Sequence, residues 1–495
     1  MPGNGTPAPR AVTERWWVGL WPGASGPQVA TVFHKLLALI FVVAWLSLAV
    51  QVRLLIGARG LMPLARFLEV LSAEGPIPVL GYPSLLRVGI LARDGALLAG
   101  TLLGAALAVL ALLGLRPRLC LGIGTALYLS YAVACRTFLS FQWDNLLLEC
   151  GTLAVFLPAG RAAPVAHLAF RILIFKLYFE SGIAKWQSSL HDWHDGSAMT
   201  YYYETAPLPA ALAFYAHHLP VWWHHLESRA TLVLELVVPL AIFGPRRVRL
   251  GAAAALTGFQ VVNAATANYG FFCYLAAALH VFLLADGDLA RLPAWFQPRT
   301  ARAPGPRAPL LRRLGLSALG LYLVMSVIEA AVHFTQGGPW LAALEPVRGL
   351  FEPLRLVNTY HLFASITRER IEPEPQIDPD GGGTWIGLEL RHKPGDPARR
   401  PDYVAPHQPR VDFQLWFHGL SFQSRQPLYV ASLLGHLCGD RPAVQSLFRA
   451  PLPAAAAVRM AYYQYHFASA AEHHATGRWW NRTLLGASAA IPCDR

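Results

Sequence analysis

The stretch FLSFQWDNLLLE (138–149) sets Gln142, Asp144 and Glu149 among apolar neighbours, and the next apolar run carries Arg171, Lys176, Glu180 and Lys185. Ionisable groups inside apolar spans are costly and usually face a bundle interior or a water-filled cavity. Two kinds of chemistry fit them. Asp144 and Glu149 are natural partners for Arg171 or Lys185, which would make them interhelical ion pairs that fix a bundle, since a buried charge must be paired to be tolerated. Alternatively the same groups line a polar cavity open to the outer face. A second gathering, HDWHDGSAMTYYYETAPLP (191–209) and AFYAHHLPVWWHHLE (213–227), brings His194, Tyr203, Glu204, His217 and His218 together with His191, His224 and His225. No HExxH or comparable fixed spacing occurs, so no metal or other cofactor is expected. Trp222, Trp223 and the tyrosines at 201–203 also suit an aromatic belt at headgroup depth. There is no Gly-rich phosphate loop, GxSxG elbow or Walker sequence.

Such groups need elements to hold them, and the composition says which. The chain is 54% hydrophobic and only 14% charged, with a mean hydropathy of +0.37. Soluble domains carry about 25% charged residues. A soluble enzyme and a disordered regulator are both excluded, and a polytopic α-helical membrane bundle is expected. Clear spans run 32–56, 96–115, 119–139, 166–185, 248–266, 269–285 and 314–333, and 146–158 and 230–243 are marginal. The Arg-rich connections are Arg116/Arg118, Arg246/Arg247/Arg249 and Arg291 through Arg313. All three belong on the cytoplasmic side, so an even number of crossings must separate the first from the second. That requires both marginal segments and gives about nine spans. A cytoplasmic N-terminal segment (1–31), a transmembrane domain (32–333) with cytoplasmic linker 286–313, and an outer loop 187–228 without Lys or Arg follow. The net charge of +12 then describes membrane insertion and implies membrane lipid, not nucleic acid, as a partner.

After residue 333 the composition changes to mixed charges with Gly and Pro. Segments 385–393, 411–417 and 459–467 alternate apolar and polar positions as half-buried strands do, 427–449 looks helical, and 380–383 and 393–396 are turn sequences. A β-rich extracytoplasmic domain (334–495) is expected. The six cysteines form no CxxC pair and four lie in apolar runs, so a disulfide framework is not expected. Asn481-Arg482-Thr483 is a glycosylation sequon that matters in a eukaryotic host; the Ala/Arg/Pro-heavy usage favours a bacterial one.

The chain resembles the lipase maturation factor family over nearly its whole length. The resemblance is carried by FLSFQWDNLLLE (138–149), LYFESGIAKW (177–186), YYYETAPLP (201–209), FYAHHLP (214–220), ANYGFF (267–272), HQPRVDFQLWF (407–417) and the closing YYQYHF (462–467) and RWW (478–480). It implies a polytopic membrane protein with a lumenal C-terminal domain, which in animals helps lipases fold and assemble in the endoplasmic reticulum. The implied role is a chaperone-like maturation factor for a secreted lipase or other exported hydrolase. It would reside in the endoplasmic reticulum membrane of a eukaryote or the inner membrane of a bacterium. The chain departs from the family at Ala206, at 267–273 and at 374–376. Trp385, Arg410, Asp412, Trp416 and Phe417 are the client-binding candidates, through an exposed β edge or aromatic groove. The oligomeric state stays open.

A more distant resemblance covers one span and its loop. Gly182-Ile183-Ala184-Lys185-Trp186, followed by Asp192-Trp193 and Gly196, is similar to vitamin K-dependent carboxylase and its membrane relatives. It implies an alternative: an integral-membrane enzyme with Lys185 as base in an outward-facing polar cavity. Transport is a third class, and the paired, Gly/Pro-broken short helices of repeat-built transporters are missing.

Overall fold

The structure is a computed structural model that describes residues 26–493 except 74, 77, 78, 159, 299–307, 336, 337 and 339. The expected N-terminal segment up to residue 25 and the middle of the linker at 299–307 lie outside the described residues. Each of the nine apolar runs contains a helix: α1 (Pro27–Ala49), α2 (Asp94–Leu112), α3 (Pro117–Ala134), α4 (Gln142–Ala154), α5 (Pro164–Trp186), α6 (Val221–Leu236), α7 (Arg246–Thr266), α8 (Phe272–Leu279) and α9 (Ala308–Thr335). Proline occupies the first helical position of α1, α3 and α5, where its missing N–H costs nothing. The marginal run 230–243 passes from α6 into a 3-10 turn, Val238–Phe243, with Pro239 near its start. Among the described residues, α1, α2 and α9 are long and apolar enough by themselves to cross a membrane.

The helices run back and forth between two ends. At one end Gly26 donates to Asp286 (2.9 Å), Lys35 to Leu112 O (3.0 Å) and Arg118 to Val155 O (2.5 Å), and Arg246 pairs with Asp288. The first two Arg-rich connections therefore gather there, beside Asp286 and Asp288. Helices α1 and α2 approach closely because position 104 is glycine: a Cβ there would lie 2.2 Å from the Trp45 ring.

The C-terminal region docks at the other end. After α10 (Leu341–Phe351), a connector leads into an antiparallel sheet of β1 (Arg370–Asp378), β2 (Ile386–Gly387), β3 (Ala457–Phe467), β4 (Trp480–Ala487) and β5 (Ile491–Pro492). The order is β2-β1-β3-β4, with β5 also on β3. Residues 459–467 are strand as expected, but 411–417 are not: they lie in helix α11 (Arg410–Leu420). Every residue from Arg410 to Leu415 is buried, because α11 is sandwiched between bundle and sheet. The apolar–polar alternation there never marked a solvent face. Gly419 permits this packing, since a Cβ would fall 2.1 Å from Ile371 O on β1. Within 385–393 only Ile386–Gly387 pairs as a strand, and Leu390 bridges Phe448. The helical stretch breaks at Asp440 into α12 (Leu428–Gly439) and the short turn Arg441–Val444. A disulfide does form, Cys438–Cys493 (2.06 Å). These two cysteines stand apart from the four buried thiols of the bundle, and the pairing of β5 with β3 brings Cys493 back to α12.

Candidate functional site

Several polar residues of the bundle converge on the connector between α10 and β1. Glu149, on α4, accepts from Lys176 Nζ (3.0 Å), Tyr322 OH (2.7 Å), Asn358 Nδ2 (2.9 Å) and Tyr360 OH (2.7 Å). Glu180 and Lys176 lie one helical turn apart on α5. The Glu180 carboxylate accepts from the backbone N–H of Tyr360 (2.8 Å). Gln142 accepts from His361 N (2.9 Å) and Ser181 Oγ from Leu362 N (3.3 Å). Lys185 Nζ donates to Leu362 O (2.6 Å) and lies 2.7 Å from Glu235 of α6. Residues 358–362 are thus a plug, and the polar cluster of the bundle is its socket.

These pairings differ from those expected. Asp144 pairs neither with Arg171 nor with Lys185, but with Arg410 at the start of α11 (2.5 and 2.8 Å). Tyr128 OH also donates to Asp144 (2.7 Å). Arg171 lies away from the plug and donates to Phe282 O (3.1 Å). Lys185 sits beside a cavity of about 50 Å³ lined by Tyr178, Tyr202, Gln260, Tyr269, Leu362 and Phe363. Small-molecule sites span roughly 300–1,000 Å³, so the lysine is closed into an ion pair and does not open onto a substrate-sized pocket.

The outer-loop residues divide. Glu204 bridges to the sheet, accepting from His466 Nδ1 (2.9 Å) and Phe467 N (2.8 Å), with His217 3.6 Å away. Tyr203 OH donates to Glu227 (2.8 Å). His194 and His218 bond locally, to Trp186 O and Phe214 O (2.7 Å each). Burial holds His217 below its ordinary range.

The C-terminal candidates also divide. Phe417 is 43% exposed. Trp416 reaches back to Thr205 O (2.9 Å), and Trp385 lies under Arg459, 4.1 Å from its ring centre. Arg410 and Asp412 are buried. Asp412 accepts from His392 N (3.1 Å), and burial pushes its carboxyl up to about 6. Beside it Glu372 holds Arg370 (2.5 Å) and Lys393 (2.6 Å), and burial holds Lys393 below its ordinary range. Sequence reasoning did not single out Asn358, Tyr360, Tyr322 or Glu235 as site residues. The one signal was compositional: RLVNTYHLF (355–363) mixes polar and aromatic residues without a turn cluster.

Two family models match in order: the lipase maturation factor transmembrane domain over residues 28–291 and the lipase maturation factor C-terminal domain over 356–490. Lipase maturation factor 1 of Bos taurus is 31% identical, over 92% of this chain and 87% of that protein. Lipase maturation factor 2 of Homo sapiens is 30% identical, over 91% and 80%, and lipase maturation factor 1 of Homo sapiens is 29% identical, over 92% and 86%. No solved structure matches. These relatives give the carboxylase-like reading of Lys185 no support, and that reading is set aside. Both domains in sequence, and relatives aligned almost end to end, show that this chain belongs to the lipase maturation factor family.

Proposed function

We propose that this protein is a membrane-embedded maturation factor that helps an exported lipase or related hydrolase reach its active fold. The observation that carries this is the match over more than nine-tenths of the chain to proteins named lipase maturation factors. The reading includes nine crossings, with residues 1–31 inside, 32–333 as the membrane domain, loop 187–228 outside, and 334–495 as the extracytoplasmic domain. Two features support it: the first two Arg-rich connections share one end, and the C-terminal region docks at the other. Such an arrangement suits the bias of Arg toward cytoplasmic loops. Client contact falls to the partly exposed aromatics Trp385, Trp416 and Phe417, while Arg410 and Asp412 hold their helix from within. Gln142, Glu149, Glu180 and Lys185 serve to seat the connector, and Asp144 anchors α11 through Arg410. The membrane is that of the endoplasmic reticulum in a eukaryotic host and the inner membrane in a bacterial one.

Deleting the gene and measuring activity per mass of each exported lipase tests the proposal. Specific activity of at least one should fall while its message is unchanged. Equal specific activity across all exported hydrolases would overturn it.

A further inference from the structure

Between α1 and α2 lies a segment that none of these roles uses. It holds a helix, Leu64–Ala73, and two 3-10 turns, Leu85–Arg87 and Gly89–Ala92. Leu68, Tyr82, Leu86 and Ala92 are buried against the rest of the protein. Val79, Leu80, Leu85, Val88, Ile90 and Leu91 are not: their exposure runs from 37% at Leu91 to 62% at Ile90. Single apolar side chains on a surface need no explanation, but a cluster like this marks a protein or membrane contact.

Its height on the bundle decides between these. Ser84 Oγ donates to Ser130 O (2.8 Å) and Leu85 N to Ser130 Oγ (3.1 Å). Ser130 lies in the last turns of α3, roughly 6 Å before its end at 1.5 Å per residue. Tyr131, next to it, donates to Leu97 O in the first turn of α2 (2.6 Å). The segment therefore lies along the flank, level with the ends of two apolar helices, and not on top where the C-terminal region docks. Below it, the outward face of α2 continues the same apolar surface through Leu102 (49%) and Leu103 (54%). Arg66 and Arg93 are exposed and Arg87 half-buried, so cations flank the apolar residues, as in helices that lie in a lipid interface.

We propose that residues 64–73 and 79–92 form an interfacial element in the membrane leaflet on the side of the C-terminal region. Leu85, Val88, Ile90 and Leu91 dip into the headgroup–acyl boundary, and Arg66, Arg87 and Arg93 meet lipid phosphates. The proposal rests on the reading that α2 crosses the membrane.

The test uses the full chain in lipid nanodiscs. The four bundle thiols are buried, so one cysteine introduced at a time, Ile90→Cys, Leu103→Cys or Ser424→Cys, can carry an environment-sensitive fluorophore. Ile90 should show blue-shifted emission and quenching by lipids with a nitroxide near the glycerol. Leu103 should be quenched by a nitroxide deeper in the chain, and Ser424, on the C-terminal region, only by aqueous iodide. Introducing Val88→Asp with Leu91→Asp should remove the blue shift at Ile90 and leave the Leu103 signal intact. Iodide quenching at Ile90 with lipid quenching at Leu103 would overturn this proposal alone, and iodide quenching at both would overturn the membrane reading of α2. Shielding of Ile90 that appears only when an exported lipase is co-expressed would assign the patch to a protein client and overturn it as well.

Discussion

The bundle meets the C-terminal region through two clasps built on opposite principles. Arg410 and Asp144 are both at most 2% exposed and joined by two hydrogen bonds, and arginine keeps its charge at any pH a protein meets. Glu204 instead bonds His466, whose side chain is 52% exposed, with His217 nearby. In the first clasp both partners are desolvated and the cation is permanent; in the second Glu204 is buried while its partner His466 stands half in water. A buried ion pair adds little net stability over an apolar pair but is expensive to break from one side. A pair with one partner half in water is worth less. The orientation of α11 therefore depends on the inner clasp, and the outer clasp can only tune it.

The sharpest way to break this contrast is Arg410→Met, which leaves Asp144 buried without its cation. It should cost about 3–5 kcal/mol, read by thermal unfolding of the detergent-solubilised chain. Adding Asp144→Leu should restore most of the loss, and a stable single variant would disprove the inner clasp. Tyr360→Phe comes next, removing one of the donors to Glu149 at about 1–3 kcal/mol. Wild-type protease resistance of the connector in that variant would show that the plug is not seated as described. Third is a pH effect. Burial lowers His392 and His407 to about 4 from an ordinary 6.5, and His407 bonds Ser47 on α1 (2.9 Å). The unfolded chain takes up these protons first, so their contribution is complete above 6.5 and is lost as the pH falls toward 4. Discounted for partial exposure, the loss should be on the order of 1 kcal/mol, and a flat stability profile from pH 7 to 4.5 would refute it. The smallest effect belongs to His466→Ala, about 0–1 kcal/mol. A loss as large as that of Arg410→Met would erase the distinction between the two clasps.

Much of this architecture is legible in the residue pattern. All nine apolar runs contain helices, and of the polar residues noted along α4 and α5, Gln142, Glu149, Glu180 and Lys185 bond the connector directly. What the pattern concealed was their partners. Asp144 meets Arg410 266 positions away, and Glu149 meets Tyr360 211 positions away. Pairing rules that look to neighbouring helices do not reach that far. Helix α11 was read as a strand because VDFQLWF satisfies a period of two, and a helix buried on all sides leaves no polar face to contradict it. Strand β1 stayed hidden for a different reason: RIEPEPQID carries two prolines. Both face away from β3, and Pro375 O accepts from Leu388 N on the β2 side (2.8 Å). Ladder pairing to β2 involves only Gln376 and Ile377, so the missing N–H groups interrupt little.

The plug has a consequence for how the protein is made. Lys176, Glu180 and Lys185 are synthesised long before residues 358–362 leave the ribosome, so the bundle must wait for a late segment to finish its hydrogen bonds. A chain stopped before the connector would keep costly polar groups without their last partners. Such fragments should be recognised and degraded, and completion of the helical half becomes a report that the C-terminal region has been synthesised.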